Sequence, residues 1–155
     1  MSQVHARETA AITAPASEIY AVLADYAGAH QRILPRPYFT DMIIEEGGQG
    51  AGTVFSTSVK VLGVTSRFRM AVTEPAPGRT LRETDLASGL VTTFEVNPSA
   101  DGRQAQVTIS SEWAGKPGIG GWIDRLSTPR IMRSLYRKEL RNLQDYLDQR
   151  PARPA

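Results

Sequence analysis

Val64-Thr65-Ser66-Arg67-Phe68-Arg69-Met70-Ala71-Val72-Thr73-Glu74 is the stretch on which the fold turns. Successive side chains of a strand point to opposite faces, so Phe68, Met70 and Val72 line one face while Arg67, Arg69 and Ala71 line the other. One face is buried and the other wet. The same period recurs downstream, where Val107, Ile109 and Trp113 oppose Gln106, Thr108, Ser110 and Glu112. Around these two segments lie further short runs rich in Val, Ile, Thr and Phe: Phe39 to Glu45, Thr53 to Leu62, Thr80 to Leu86 and Leu90 to Asn97. Their separators are Gly47-Gly48-Gln49-Gly50, Gly63, Pro75-Ala76-Pro77-Gly78, Ser88-Gly89 and Asp101-Gly102, which predicts six antiparallel strands joined by turns.

Upstream, Val4 to Thr13 reads as a first strand stopped by Pro15. Pro15 suits a first helical turn after a Thr13 cap, and Ile19, Val22, Leu23 and Tyr26 then recur at helical spacing. Gly28 interrupts this helix, a short second piece runs from His30 to Leu34, and Pro35 and Pro37 force an extended exit. Downstream, residues 115–121 read as a loose hinge before a final helix with apolar positions Trp122, Leu126, Met132, Leu135, Tyr136, Leu140, Leu143 and Leu147. Pro129 inside it predicts a kink or a restart. The order is strand, two short helices, six strands and a long helix. A one-sided sheet of this kind buries its apolar face by curling around the only long helix available, giving an α+β helix-grip architecture: a curved seven-stranded antiparallel sheet wrapped around the C-terminal helix. A single domain over 1–149 and a disordered tail over 150–155 are expected.

Composition narrows the chemistry. The 155 residues include no cysteine, which excludes disulfides, thiolate metal sites and cysteine nucleophiles and fits a reducing, cytoplasmic setting. Met1 to Arg7 lacks the pattern of a signal peptide, and no stretch approaches the roughly 18 apolar residues of a membrane span. Eighteen Lys and Arg against 16 Asp and Glu leave a net charge of +2, which implies no nucleic-acid partner. The late cluster Arg125, Arg130, Arg133, Arg137, Lys138 and Arg141 shares its helix with Asp124, Glu139, Asp145 and Asp148 and reads as a solvated face. With only His5 and His30 available, no metal is expected. No phosphate-binding glycine pattern stands where a strand feeds a helix, and no Gly-x-Ser-x-Gly elbow is present, so neither a nucleotide cofactor nor nucleophilic hydrolysis is implied.

Four segments carry a family resemblance: Ile12-Thr13-Ala14-Pro15-Ala16-Ser17-Glu18-Ile19-Tyr20-Ala21-Val22-Leu23-Ala24-Asp25-Tyr26, Glu45 to Thr53, Glu74-Pro75-Ala76-Pro77-Gly78-Arg79, and the closing Leu140-Arg141-Asn142-Leu143. Over residues 4–148 the chain resembles the START-like SRPBCC superfamily, close to its polyketide cyclase/dehydrase-type members. The resemblance implies a pocket for a small hydrophobic molecule between the last helix and the sheet. It does not choose between a carrier of a lipid, isoprenoid or polyketide, a cyclase or aromatase, and a toxin-like or ribosome-associated interaction protein using the basic final helix.

The residues expected to wall such a pocket are Tyr26, Phe55, Phe68, Met70, Phe94 and Trp113, with Trp122, Leu126, Met132 and Leu135 of the final helix as its floor and His30 and Tyr38 near its mouth. For catalysis the candidates are polar strand residues that could turn inward: Arg69, Glu83 and Asp85, with Arg69 imagined opposite Glu83. A carboxyl group in an apolar pocket has its charged form disfavoured and can then act as a general acid or base. Leu81 shares the face of Glu83 and Asp85. The expected assembly is a monomer or homodimer.

Overall fold

The computed structural model describes residues 3–114 and 118–150, with side chains at all of these except 118–127. Seven strands form one antiparallel sheet in the order β1-β7-β6-β5-β4-β3-β2. They are β1 (Gln3–Ile12), β2 (Phe39–Glu46), β3 (Val54–Val61), β4 (Val64–Ala76), β5 (Thr80–Asp85), β6 (Val91–Pro98) and β7 (Ala105–Ala114). Two short helices, α1 (Ala16–Ala24) and α2 (Ala29–Ile33), follow β1, and α3 (Gly118–Gln149) follows β7. The seven-stranded helix-grip arrangement is therefore the observed one.

Strands β2 to β7 pair with their neighbours in sequence, but β1 pairs with β7, so the first two strands of the chain form opposite edges of the sheet. The link between them, which contains α1 and α2, has to span the sheet's full width. That requirement, more than any local preference, brings the segment carrying Tyr26 and His30 across the concave side. Here Ile19, Leu23, Tyr26 and Ile33 join one buried cluster with Phe55, Met70, Phe94, Val107, Tyr136, Leu140 and Leu143. The strict alternation of burial in β5 and β6 puts Leu81, Glu83 and Asp85, and then Thr92, Phe94 and Val96, on the concave face.

The loop after β2 fastens the crossing segment. Gly50 donates its N–H to the Ala24 carbonyl at 2.9 Å, Ala27 donates to the Gly48 carbonyl at 3.1 Å, and Gln49 Nε2 donates to Asp25 Oδ1 at 2.6 Å. Gly50 has φ 55°, a conformation that favours glycine, and a Cβ there would stand 2.8 Å from Glu74 Oε2 and displace that carboxylate. Glu74 in turn accepts hydrogen bonds from the Tyr20 hydroxyl at 2.6 Å and the Ala51 N–H at 3.1 Å.

Several local expectations need correction. Residues 118–121 belong to α3 rather than to a loose hinge, while 115–117 lie outside the described residues. Pro129 sits within one continuous helix instead of beginning a new one. Thr13 is not the helix cap: Pro15 occupies that position, and the Thr13 N–H donates to Gln144 Oε1 at 2.7 Å. Leu62 leaves its strand and, with φ 51°, makes the two-residue β3–β4 turn with Gly63. Strand β4 continues to Ala76, with a register shift after Thr73 where Pro75 has no N–H to donate. At the far end Arg150 Nη2 donates to Glu18 Oε2 at 2.8 Å, and residues 151–155 lie outside those described.

Candidate functional site

A polar row crosses the concave face. Glu83 of β5 is the register partner of Thr92 of β6, which is itself the partner of Ser111 of β7. All three side chains are buried. Above them α3 contributes Tyr136 and Glu139, and the crossing segment contributes Tyr26 and His30, so five elements converge.

Two hydrogen-bonded sets result. Thr92 Oγ1 and Ser111 Oγ lie 2.6 Å apart, and Ser111 Oγ also bonds the Tyr136 hydroxyl. Across from this string the Tyr26 hydroxyl donates to Glu83 Oε1 at 2.9 Å. His30 Nδ1 lies 2.7 Å from the Leu23 carbonyl oxygen, which can only accept, so the ring hydrogen is on Nδ1. Nε2 of the neutral ring then carries a bare lone pair. It faces Glu83 Oε1 and Glu139 Oε1, each at 3.9 Å. The Tyr26 ring stacks on His30 at 4.5 Å and on Phe55 at 5.3 Å between centroids, and Phe94 meets His30 edge-on. These rings fix the imidazole's orientation.

Burial sets the protonation states. His30 is 1% exposed, and loss of solvation lowers its pKa to about 4 despite the Leu23 carbonyl. Glu83 is raised to about 7 by burial, opposed by the Tyr26 hydrogen bond. Glu139 is raised well above the ordinary carboxyl value by burial and then by the charge of Glu83. Tyr26 and Tyr136 are likewise raised, chiefly by burial. With the imidazole neutral, the two 3.9 Å approaches are polar contacts rather than ion pairs. Glu139 Oε1 has no hydrogen-bond partner, and no Lys or Arg side chain among the described residues pairs with either carboxyl.

The residues expected at a site separate into three groups. Tyr26, Phe55, Met70, Phe94 and Leu135 are buried, Phe68, Trp113 and Met132 are partly buried against the core, and Glu83 points inward beside Tyr26. His30, expected near the mouth, is instead deep in the interior, whereas Tyr38 stays partly exposed with Lys138 Nζ 4.4 Å from its ring centroid. The side chains of Trp122 and Leu126 lie outside the described residues. Arg69 is on the convex face, 54% exposed, and bonds Glu45 at 3.1 Å; the register sets Val72, not Arg69, opposite Glu83.

Asp85 is buried but committed to structure. Its carboxylate accepts from the Arg69 N–H, the Ser88 N–H and the Ser88 hydroxyl at 2.6–2.9 Å, which holds its pKa low despite desolvation. Asp85→Ala is therefore expected to cost about 1–3 kcal/mol of stability, and Arg69→Ala less than about 0.5 kcal/mol, because only the first removes the buried acceptor shared by three part-buried hydrogen bonds. Urea unfolding of the two variants checks the contrast. An equal loss in both would contradict it.

Glu139 is the residue that sequence reasoning missed. Grouped with the solvated charges of α3, it is 3% exposed. The signal was present, since Glu139 stands four residues after Leu135, three after Tyr136 and four before Leu143, all of them buried. An open groove of about 420 Å³ between β1 and α3, lined by Glu8, Arg137 and Arg141 among others, shares no residue with the buried cluster of polar groups. Among the described residues no group of ligating side chains is arranged to hold a metal ion, and no helix is long and apolar enough to cross a membrane.

A sheet gripping one long helix, with polar groups placed inside the grip, defines a START-like helix-grip protein. The match to the family described as polyketide cyclase / dehydrase and lipid transport extends over residues 3–148, and the chain belongs to that family. Among solved structures, the KanY protein is similar at 28% identity over 96% of this chain and 99% of its own, with a TM-score of 0.82. TTHA0849 from Thermus thermophilus is similar at 17% identity over 92% of this chain and 96% of its own, with a TM-score of 0.77. The Zhui aromatase/cyclase from Streptomyces sp. R1128 is similar at 20% identity over 96% of both chains, with a TM-score of 0.74. No curated protein sequence matches.

Proposed function

We propose that the protein binds a small, mostly apolar organic molecule between α3 and the concave face of the sheet, with the ligand's polar end against Tyr26, His30, Glu83 and Glu139. The observation that carries this reading is the unpartnered Glu139 Oε1, buried among apolar and aromatic side chains. An unsatisfied buried polar atom costs about 1–3 kcal/mol, a cost that a ligand group can relieve. Partly buried Phe68, Trp113 and Met132 supply apolar surface for the ligand's body. Family membership supports a lipid, isoprenoid or polyketide-like occupant. Native mass spectrometry of the purified protein, with extraction of whatever is bound, tests this. A stoichiometric apolar molecule is the expected result; a protein that is empty and takes up no member of a lipid, quinone and aromatic panel would refute it.

A second reading, proton-transfer catalysis of a ring closure or dehydration, is favoured by one arrangement. A bare imidazole nitrogen and two carboxyl groups of raised pKa face the same interior point. Turnover of a poly-β-keto thioester mimic, abolished in Glu83→Gln, would support it, and binding without turnover would leave the carrier reading alone.

A further inference from the structure

We infer that the interior site is built for a primary amine, taken up as its ammonium and carried on an aromatic or aliphatic body. The inference rests on the ligand-binding reading above and is independent of the catalytic one. Its basis is a count of donors and acceptors. His30 Nε2 has no hydrogen, because Nδ1 spends the ring's one N–H on the Leu23 carbonyl. Glu83 Oε1 receives the only proton that Tyr26 can give. Glu139 Oε1 receives none. Once both carboxyl groups ionise, three acceptors converge, two of their separations are 3.9 Å, and no cationic side chain among the described residues compensates them.

An ammonium nitrogen about 2.9 Å from Nε2 and from either carboxyl oxygen would subtend that pair at close to a right angle, within the tolerance of N–H···O and N–H···N bonds. It brings three donors and one positive charge, which is what the site lacks. A ketone brings no donor, so it can match a carboxyl only while that group keeps its proton, and it leaves Nε2 unmatched.

Ligand charge also has a definite consequence for protons. The titratable groups facing the site are Tyr26 from the α1–α2 link, His30 from α2, Glu83 from β5, and Tyr136 and Glu139 from α3. Of these, the carboxyl groups are the ones that gain by ionising next to a cation. Amine binding should therefore expel protons near neutral pH, whereas a neutral ligand has no reason to do so.

The test is calorimetry on the full chain with primary amines from benzylamine to 2-(2-naphthyl)ethylamine, each paired with the alcohol of the same skeleton. Measurements at pH 8 and pH 5, in buffers of different ionisation enthalpy, count the protons released. At pH 8 the best amine should bind at least about tenfold more tightly than its alcohol, release close to one proton, and lose that advantage at pH 5. Glu139→Gln and, independently, Glu83→Gln, each checked for a cooperative thermal transition, should bring the amine to within about threefold of the alcohol. Alcohols or ketones that bind as tightly as the amines would overturn the inference while leaving the ligand-binding reading intact. If no member of either series binds and the purified protein carries nothing, both fall together.

Discussion

Glu139→Leu is expected to stabilise the protein by about 1–4 kcal/mol at pH 8, measured by urea unfolding. In the unfolded chain this carboxyl group ionises freely near its ordinary value of 4.5; in the folded protein burial and the charge of Glu83 push its pKa well above that. Folding at pH 8 must either bind a proton against the prevailing pH or bury an uncompensated charge, and leucine removes both costs while filling similar volume. Glu83 acts in the same direction. Its folded pKa of about 7 exceeds the ordinary 4.5, so the folded state binds more protons between these values and its contribution, about 3 kcal/mol, is present below pH 4.5 and lost as pH rises through 7.

His30 has the opposite sign. Its pKa falls from 6.5 to about 4, so the unfolded state binds more protons in that window and stability is lost as pH drops from 6.5 towards 4. The two windows overlap and nearly cancel. Glu139, raised in the folded state but ordinary in the unfolded one, titrates over the same range without a counterweight, so the native protein should lose stability from about pH 4.5 upward and more steeply above 6.5, where only the carboxyl groups still titrate. Glu139→Leu should leave a plateau from about pH 4.5 to 6.5, and His30→Phe should steepen the fall over that range. A Glu139→Leu protein less stable than the native one at pH 8 would mean that the carboxyl group has a partner in solution, and with it the donor count of the site would change.

The proposed site links stability and function through this one residue. Proteins retain a destabilising buried group where a ligand or a reaction makes use of it. A variant that is more stable and no longer takes up amines would show the trade directly.

The fold was legible because it is written in periods of two and of three to four residues, and these survive without knowledge of tertiary contacts. Phe68, Met70 and Val72 predicted a face, and the strand that contains them indeed turns Met70 and Val72 inward. Strand parity also placed Glu83 with Leu81, and both are buried. The polar row was not legible, because it depends on register: nothing in the spacing of Glu83, Thr92 and Ser111 says that they are successive partners across three strands. Arg69 shows the reverse error. Its pairing with Glu83 was a guess at register, and an offset of three residues along β4 puts it on the other face altogether. Glu139 was passed over because its charge outweighed its position, although the apolar stripe of α3 runs through it.

Leu143→Ala and Met132→Ala should behave differently, although both residues belong to the apolar stripe of the same helix. Leu143 is 1% exposed and shares its cluster with Ile19, Leu23 and Ile33 at the end of the sheet closed by the α1–α2 crossing. Emptying that position should cost about 2–5 kcal/mol, since the surrounding elements are held by the β2–β3 loop and cannot collapse onto the void. Ligand affinity corrected for the unfolded fraction should then be unchanged. Met132 lies about three turns nearer the start of α3 and, like Phe68 and Trp113, is only partly buried against the core. Its truncation should cost less than about 1.5 kcal/mol in stability but weaken binding of the best ligand several-fold, because the lost contacts are with the ligand's apolar body rather than with the protein. Paired urea unfolding and calorimetry on the two variants separate these outcomes. Equal destabilisation by both substitutions would mean that the apolar interior is one continuous core, leaving the ligand only the polar end at Glu139.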